Sequence, residues 1–231
     1  MNVSVALATF NGEKFLKEQL DSILPQLGPD DEIIASDDGS RDGTMELLAR
    51  YTDDPRITLC RNPGKGLVSN FENALKQCRN EIVFLCDQDD IWLAHKVQTV
   101  RNRLMTSGKK LVLHNALLFP STEHQEKKML IQHMYHGIFL NIIKSCYWGC
   151  CMAFTKELLD RALPFPPSIP THDQWIGLIA EQRKETFFLN EPLILHRRHG
   201  KNVSKTLPLH RRLDFRYRMA KAYYAHSPKE P

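Results

Sequence analysis

Apolar residues in the first half of the chain follow two patterns by turns. Residues 3–8 (Val-Ser-Val-Ala-Leu-Ala) form a β-branched run that reads as a buried strand. Phe15, Leu16, Leu20, Ile23, Leu24 and Leu27 then recur at helical spacing until Gly28-Pro29 stops them. The alternation continues with a strand over 32–36, a short helix over 45–51 and a strand over 56–60. A helical face at Phe71, Ala74, Leu75 and Cys78 follows, then a buried strand over 81–86 and a helix lined by Leu93, Val97, Val100 and Leu104. Strands alternating with helices predict right-handed crossovers and an α/β domain, its mostly parallel central sheet covered by helices on both faces.

The second half is less regular. Residues 111–119 predict a strand, 120–136 a polar loop, and 147–155 a strand-like stretch entered through a glycine. A helix carrying Trp175, Ile176 and Ile179 is expected to begin near Thr171-His172-Asp173, and 187–196 holds one or two short strands. Over 209–224, Arg211, Arg212, Arg216, Arg218 and Lys221 interleave with Leu213, Phe215, Tyr217, Met219, Tyr223 and Tyr224, as in a basic amphipathic helix. No repeat or linker marks a second domain. The expected organisation is one domain over 1–204 and a basic amphipathic C-terminal tail over 205–231.

Composition narrows the class. The chain has 231 residues, 42% hydrophobic and 25% charged, which supports a core of ordinary globular size. A net charge of +4 is too mild to indicate a nucleic-acid partner. No stretch approaches the ~20 apolar residues of a spanning helix, and the N-terminus has no signal-peptide pattern. Six cysteines without a CxxC pair suit packed, reduced thiols. The expected location is the cytoplasm, with the tail resting on the inner face of the cell membrane or, alternatively, packing as a charged helix on the domain.

The candidate chemistry lies at strand ends. Asp87, Asp89 and Asp90 crowd three carboxylates into four positions directly after a buried strand. Like charges held so close repel, and a divalent cation, manganese or magnesium, resolves the conflict; a solvated acidic turn is the plainer alternative. Thr9-Phe10-Asn11-Gly12, Asp37-Asp38-Gly39-Ser40 and residues 61–66 occupy three further carboxyl ends. Ligands of open α/β sheets bind beyond such ends, so the four clusters predict one site. Asn62, Gly66 and Asn70 are placed to shape a nucleotide pocket, although Asn70 also suits a helix cap. No GxGxxG follows the first strand, which argues against a Rossmann dehydrogenase.

Thr9-Phe10-Asn11-Gly12-Glu13, the stretch from Ser36 to Thr44, Asp87-Gln88-Asp89-Asp90-Ile91-Trp92 and His172-Asp173-Gln174-Trp175 resemble, in order, the motifs of family-2 inverting glycosyltransferases. The segment from Arg197 to Ser204 is similar to the terminal motif of their rhamnosyltransferase-like branch. The resemblance implies a single-domain GT-A fold, a nucleotide-diphosphate sugar donor and a divalent metal. It also implies a saccharide or lipid-linked acceptor, in bacterial surface polysaccharide synthesis. Carried over by position, Phe10 stacks on the donor base and Asp38 binds it, while Asp89 holds the metal with Asp87 beside it. Asp173 is then the catalytic base. Phe10 stands where tyrosine is more usual.

Other residues keep two readings each. Asp173 also suits a helix N-cap. Arg198 and His199 suit phosphate or metal contact, or a solvated basic loop; Lys65 and Lys201 are further candidate phosphate donors. Trp148 and Gly149 fit an acceptor side, where an aromatic face meets a sugar ring, or else a core position. His172 either orients Asp173 or packs. L-rhamnose is the first candidate sugar; galactosyl, glucosyl and N-acetylglucosaminyl donors are alternatives, as is a nucleotide-binding protein without catalysis.

Overall fold

The computed structural model describes residues 1–120, 128–131, 133–167, 169–199 and 208–226. Four parallel strands build one side of a nine-stranded sheet: β1 (Val3–Thr9), β2 (Glu32–Asp37), β3 (Ile57–Arg61) and β4 (Ile82–Asp87), in the order β3-β2-β1-β4. β1, β2 and most of β4 are buried along their length, as strands covered on both faces must be. The connecting helices are α1 (Glu13–Ile23), α2 (Thr44–Tyr51) and α3 (Leu67–Leu75). α1 buries Leu16, Leu20 and Ile23, the apolar stripe that its spacing predicted.

Beyond β4 the sheet turns mixed. β8 (Met152–Thr155) pairs antiparallel with β4 and with β6 (Leu111–Pro120), and β9 (Thr186–Arg198) runs parallel to β6. A two-residue β5 (Ile91–Trp92) closes on β9, and β7 (Lys128–Met129) pairs with β6 inside the stretch expected to be loop. Helices α4 (Lys96–Ser107), α5 (Ile138–Ile143), α6 (Lys156–Ala162), α7 (His172–Gln182) and α8 (Leu209–His226) complete the chain. No described helix is long and apolar enough to cross a membrane.

Three expectations for the second half need correction. β9 is one strand of 13 residues, not one or two short ones. Its Pro192 faces Asn115 where the register slips, so the missing N–H costs no regular ladder bond. The strand expected over 147–155 is confined to its last four residues. Ahead of them Gly149–Cys151 form a 3₁₀ turn, held by the Cys151 N–H on the Trp148 carbonyl and by the buried Lys96 ammonium on the Cys150 carbonyl at 3.1 Å. Third, α5 and α6 were not anticipated: α5 has only six residues, too few for its periodicity to stand out. In the tail, α8 buries Met219, Ala222 and Tyr223 and packs on α5 and α7.

Candidate active site

Strand pairing brings the clusters together. Thr9 at the end of β1 faces Asp37 of β2, and Ala8 faces Asp87 of β4, so three motif-bearing ends share one rim. Side chains knit the loops beyond. Asp38 donates its backbone N–H to the Thr9 carbonyl, and Asn70 donates its amide to the same oxygen at 3.0 Å. Asn11 accepts the Arg41 N–H and donates its own to the Ser40 hydroxyl, tying the first loop to the second.

The two neighbouring aspartates differ in what surrounds them. Asp37 is buried, and its carboxylate accepts from the Thr9 hydroxyl, the Gly39 and Ser40 amides and the Ser40 hydroxyl. Those bonds shape the turn. Asp38 is half-buried and accepts from Asn62 Nδ2 at 2.7 Å and the Gly66 N–H at 2.9 Å, an arrangement that aims a carboxylate from a fixed position. Asn70 lies inside α3, whose N-cap is Gly66, so it is not the cap. Phe10 is 51% exposed, an apolar ring presented to solvent at the rim.

Gln88 holds the Phe10 backbone in place, a role the sequence did not reveal. Its side-chain amide accepts the Phe10 N–H at 2.8 Å and donates to the Phe10 carbonyl at 3.0 Å. The clamp requires Gly12: a Cβ there would lie 2.2 Å from Gln88 Oε1. The middle residue of the acidic motif thus fixes the base-side loop, which links the two clusters mechanically.

The acidic cluster is electrostatically strained. Burial and the neighbouring Asp90 and Asp89 push the Asp87 carboxyl up to about 8. Burial and Asp90 likewise raise Asp89, against the opposing His199, whose Nε2 lies 2.7 Å from Asp89 Oδ2 and whose ring stacks on Phe15. Asp90 is buried, bonded through one oxygen to His196 Nδ1 at 2.8 Å and to the Arg197 N–H, while its other oxygen has no partner. Burial opposes a charge on His196, but Cys150 and Asp90 outweigh it and push the imidazole up.

Among the described residues, one set of three groups lies close enough together to share a cation. Asp90, Cys150 and His196 place ligand atoms within 4.8 Å of one another, a set the sequence reading missed because its members stand 46 and 60 residues apart. That set is already balanced by its own imidazolium, and the buried Lys96 ammonium lies against it. Asp87, Asp89 and His199 are the harder donors by type, but among the described residues only Asp89 and His199 are shown in contact, and the three do not gather as that set does.

Arg197 is the arginine bonded into this region. It donates to the Asp89 carbonyl at 3.1 Å, packs between the Phe15 and Phe119 rings and pairs with Glu18. Arg198 is exposed at the end of β9. Strand alternation sends the two side chains to opposite faces, a distinction a basic run in sequence conceals. Lys65 is exposed too, and Lys201, with the rest of 200–207, lies outside the described residues.

Asp173 completes the rim. It is the second residue of α7, after an N-cap at Thr171, and its carboxylate accepts the adjacent Gln174 N–H, so it is not the cap. It stands near enough to add to the upward push on Asp87. Gly149 makes room: a Cβ there would meet His172 Nε2 at 3.3 Å and the Asp173 Cβ at 3.6 Å. His172 is buried, stacked on Phe71 at 4.0 Å and pushed down by burial, with neither ring nitrogen hydrogen-bonded. It packs under the site and does not bond Asp173. Trp148 is half-buried, edge-on to His196, whereas Trp92 and Trp175 are core.

Known proteins share this architecture. The glucosyltransferase WfgD of Escherichia coli, named for UDP-glucose and an N-acetylglucosamine-diphosphoundecaprenol, is 26% identical over 185 residues, covering 78% of this chain and 70% of that protein. An uncharacterized glycosyltransferase of Nostoc sp. is 27% identical over 180 residues, covering 72% and 55%. The dTDP-rhamnosyl transferase RfbG of Shigella flexneri is 27% identical over 212 residues, covering 85% and 72%. The chain therefore spans little more than half of one of these relatives. Among solved structures, Staphylococcus aureus TarS 1–349 with UDP-GlcNAc superposes at a TM-score of 0.76 with 16% identity, over 100% of this chain and 68% of that one. Glucosyl-3-phosphoglycerate synthase of Mycobacterium tuberculosis, solved with Mn2+ and UDP, gives 0.62 with 20% identity, over 99% and 81%. These likenesses bear out the GT-A fold expected from the motifs. Residues 4–163 match the sequence profile of glycosyl transferase family 2, and the chain belongs to that family.

Proposed function

We propose that this glycosyltransferase moves a sugar from a nucleoside-diphosphate donor to a hydroxyl of a saccharide or lipid-linked acceptor, inverting the anomeric centre, in the synthesis of a bacterial surface polysaccharide. One observation carries the reading: Asp173, on α7, lies near enough to Asp87 at the end of β4 to add to the push on its carboxyl, and its side chain borders Gly149. In its assigned role, that carboxylate takes the acceptor proton as the acceptor oxygen bonds to the anomeric carbon. The bond from that carbon to the diphosphate oxygen breaks on the opposite face, and its electron pair leaves with the diphosphate.

The rest of the rim serves the donor. Phe10 offers a stacking face, and Asp38, held by Asn62 and Gly66, accepts hydrogen bonds from the base. A divalent cation held by Asp87, Asp89 and His199, manganese or magnesium, supplies positive charge against the leaving diphosphate. Trp148 and Gly149 border the acceptor. The relatives named for dTDP-rhamnose and UDP-glucose support two donors, and L-rhamnose is the first to test.

The test is a thermal-shift screen of dTDP-rhamnose, UDP-glucose, UDP-galactose and UDP-N-acetylglucosamine, each with and without Mn2+. Release of nucleoside diphosphate from the best ligand follows. Metal-dependent stabilisation by one donor, with turnover lost in Asp173→Asn, supports the reading. Binding without turnover under any acceptor favours a nucleotide-binding protein instead.

A further inference from the structure

Exposed apolar side chains are normal on a protein surface when scattered, and informative when gathered. Among the described residues eleven large apolar side chains are exposed; three lie on α5 and four on α8. The two helices pack against each other, so seven of the eleven lie on one helix pair. Phe139 on α5 is 70% exposed, and on α8 Leu209, Leu213 and Tyr217 recur every four residues along an outward stripe. The inward stripe of α8, with Met219, Ala222 and Tyr223, is separate and already buried. This helix therefore has two apolar faces, and the domain covers one.

Charge identifies what covers the other. α8 carries Arg211, Arg212, Arg216, Arg218 and Lys221 against a single acid, Asp214, and Arg212, Arg216 and Lys221 stand one helical turn from Leu209, Leu213 and Tyr217 respectively, bordering the stripe. Cations interleaved with aliphatic and tyrosine side chains match the interface of an anionic bilayer, where apolar groups enter the acyl boundary and cations meet headgroups. A nucleic acid would use the cations but leave Phe139 and the leucines in water. The location is informative too. α5 packs on α7, and Gln174, the residue after Asp173, donates its amide to the α5 carbonyl of Asn141 at 2.7 Å. The exposed surface therefore adjoins the helix that carries the candidate base.

We propose that the α5–α8 surface docks on an anionic lipid bilayer and so presents the acceptor side of the site to lipid-linked substrate. This rests on the reading of the acceptor given above. The test is co-sedimentation of the full chain with vesicles of phosphatidylcholine alone or with phosphatidylglycerol, at low and high salt. Three preparations are compared: wild type, a Phe139→Ser/Leu213→Ser/Tyr217→Ser variant and an Arg212→Glu/Lys221→Glu variant. All five positions are exposed, so equal melting temperatures are expected.

The expected result is pelleting that needs phosphatidylglycerol, weakens with salt and falls at least tenfold in each variant. Transfer to a short saccharide lacking lipid stays unchanged in the variants, while transfer to a vesicle-borne acceptor falls. Equal pelleting with both vesicle types, no pelleting, or a wild-type dimer in solution that the apolar variant abolishes would each overturn the proposal. Loss of all transfer with lipid binding intact would instead count against the proposed function and leave the docking surface standing.

Discussion

The two sides of the sheet divide the work. From β1 to β4 every pairing is parallel, the strands end level with one another, and those ends carry the residues assigned above to the nucleotide. From β5 onward, pairings mix direction, β9 slips register, and a 3₁₀ turn takes the place of expected strand. That irregular side supplies Asp173, Gly149, His196 and His199. Regular backbone suits binding a constant group such as a diphosphate, whereas irregular backbone allows side chains to approach from directions a regular ladder forbids. The comparison predicts that variants on the irregular side lose turnover and variants on the parallel side lose donor affinity.

The largest effect belongs to Asp173→Asn. Removing a positioned base costs typically ~10²–10⁴ in rate. In Asp173→Asn, kcat is expected to fall by that order while nucleotide affinity, measured by calorimetry, stays within about twofold, because no donor contact is assigned to Asp173. Retained turnover would remove it as the base. Asp38→Ala is the counterpart on the parallel side. Hydrogen bonds to a charged group contribute on the order of 1.5–3 kcal/mol, so donor KM should rise roughly 10- to 100-fold with kcat little changed. A fall in kcat without a rise in KM would break the division.

The same contrast explains what could be read from the sequence. The parallel side was legible because its signals are local: apolar runs of strand length, helical spacing between them, and turn residues at each end. The carboxylates of the acidic motif stood out because no buried strand ends in such charge without cause. The clamp from Gln88 to Phe10 was not legible, since its bonds join residues 78 apart and a glutamine between aspartates carries no signal of its own. His196 and Cys150 were hidden for the same reason. That Arg197 meets Asp89 depends on which face of β9 turns toward it, and a slipped register cannot be counted from residue spacing.

The clamp is open to a sharper test than either aspartate. Gln88→Ala frees the Phe10 loop without touching the diphosphate side, so affinity for the nucleoside diphosphate should fall about tenfold while affinity for Mn2+-pyrophosphate is unchanged. Gly12→Ala should do the same by displacing the Gln88 amide. The backbone at Gly12, at φ −105° and ψ 5°, is open to alanine, so the side-chain clash is the whole of its cost. The double variant should then be no worse than Gln88→Ala alone, a coupling of the size seen for residues in contact. Additive losses would show that Gly12 is needed for another reason.

The smallest effect probes where the two sides meet, at Asp87. Its carboxyl is pushed up to about 8 in the folded protein by burial and by its acidic neighbours, against an ordinary value near 4 when unfolded. Between those values the folded state holds a proton that the unfolded state has lost, so raising the pH through this window destabilises the metal-free protein. Asp87→Asn removes that term. The melting temperature of metal-free wild type should therefore fall relative to Asp87→Asn by a few degrees between about pH 5 and pH 8. A dication competes with the same proton, so stabilisation by Mn2+ should grow over the same range in wild type and not in the variant. Parallel pH profiles for the two proteins, with or without Mn2+, would show that Asp87 is not the group whose charge the site must neutralise, and would move the cation toward the buried set of Asp90, Cys150 and His196.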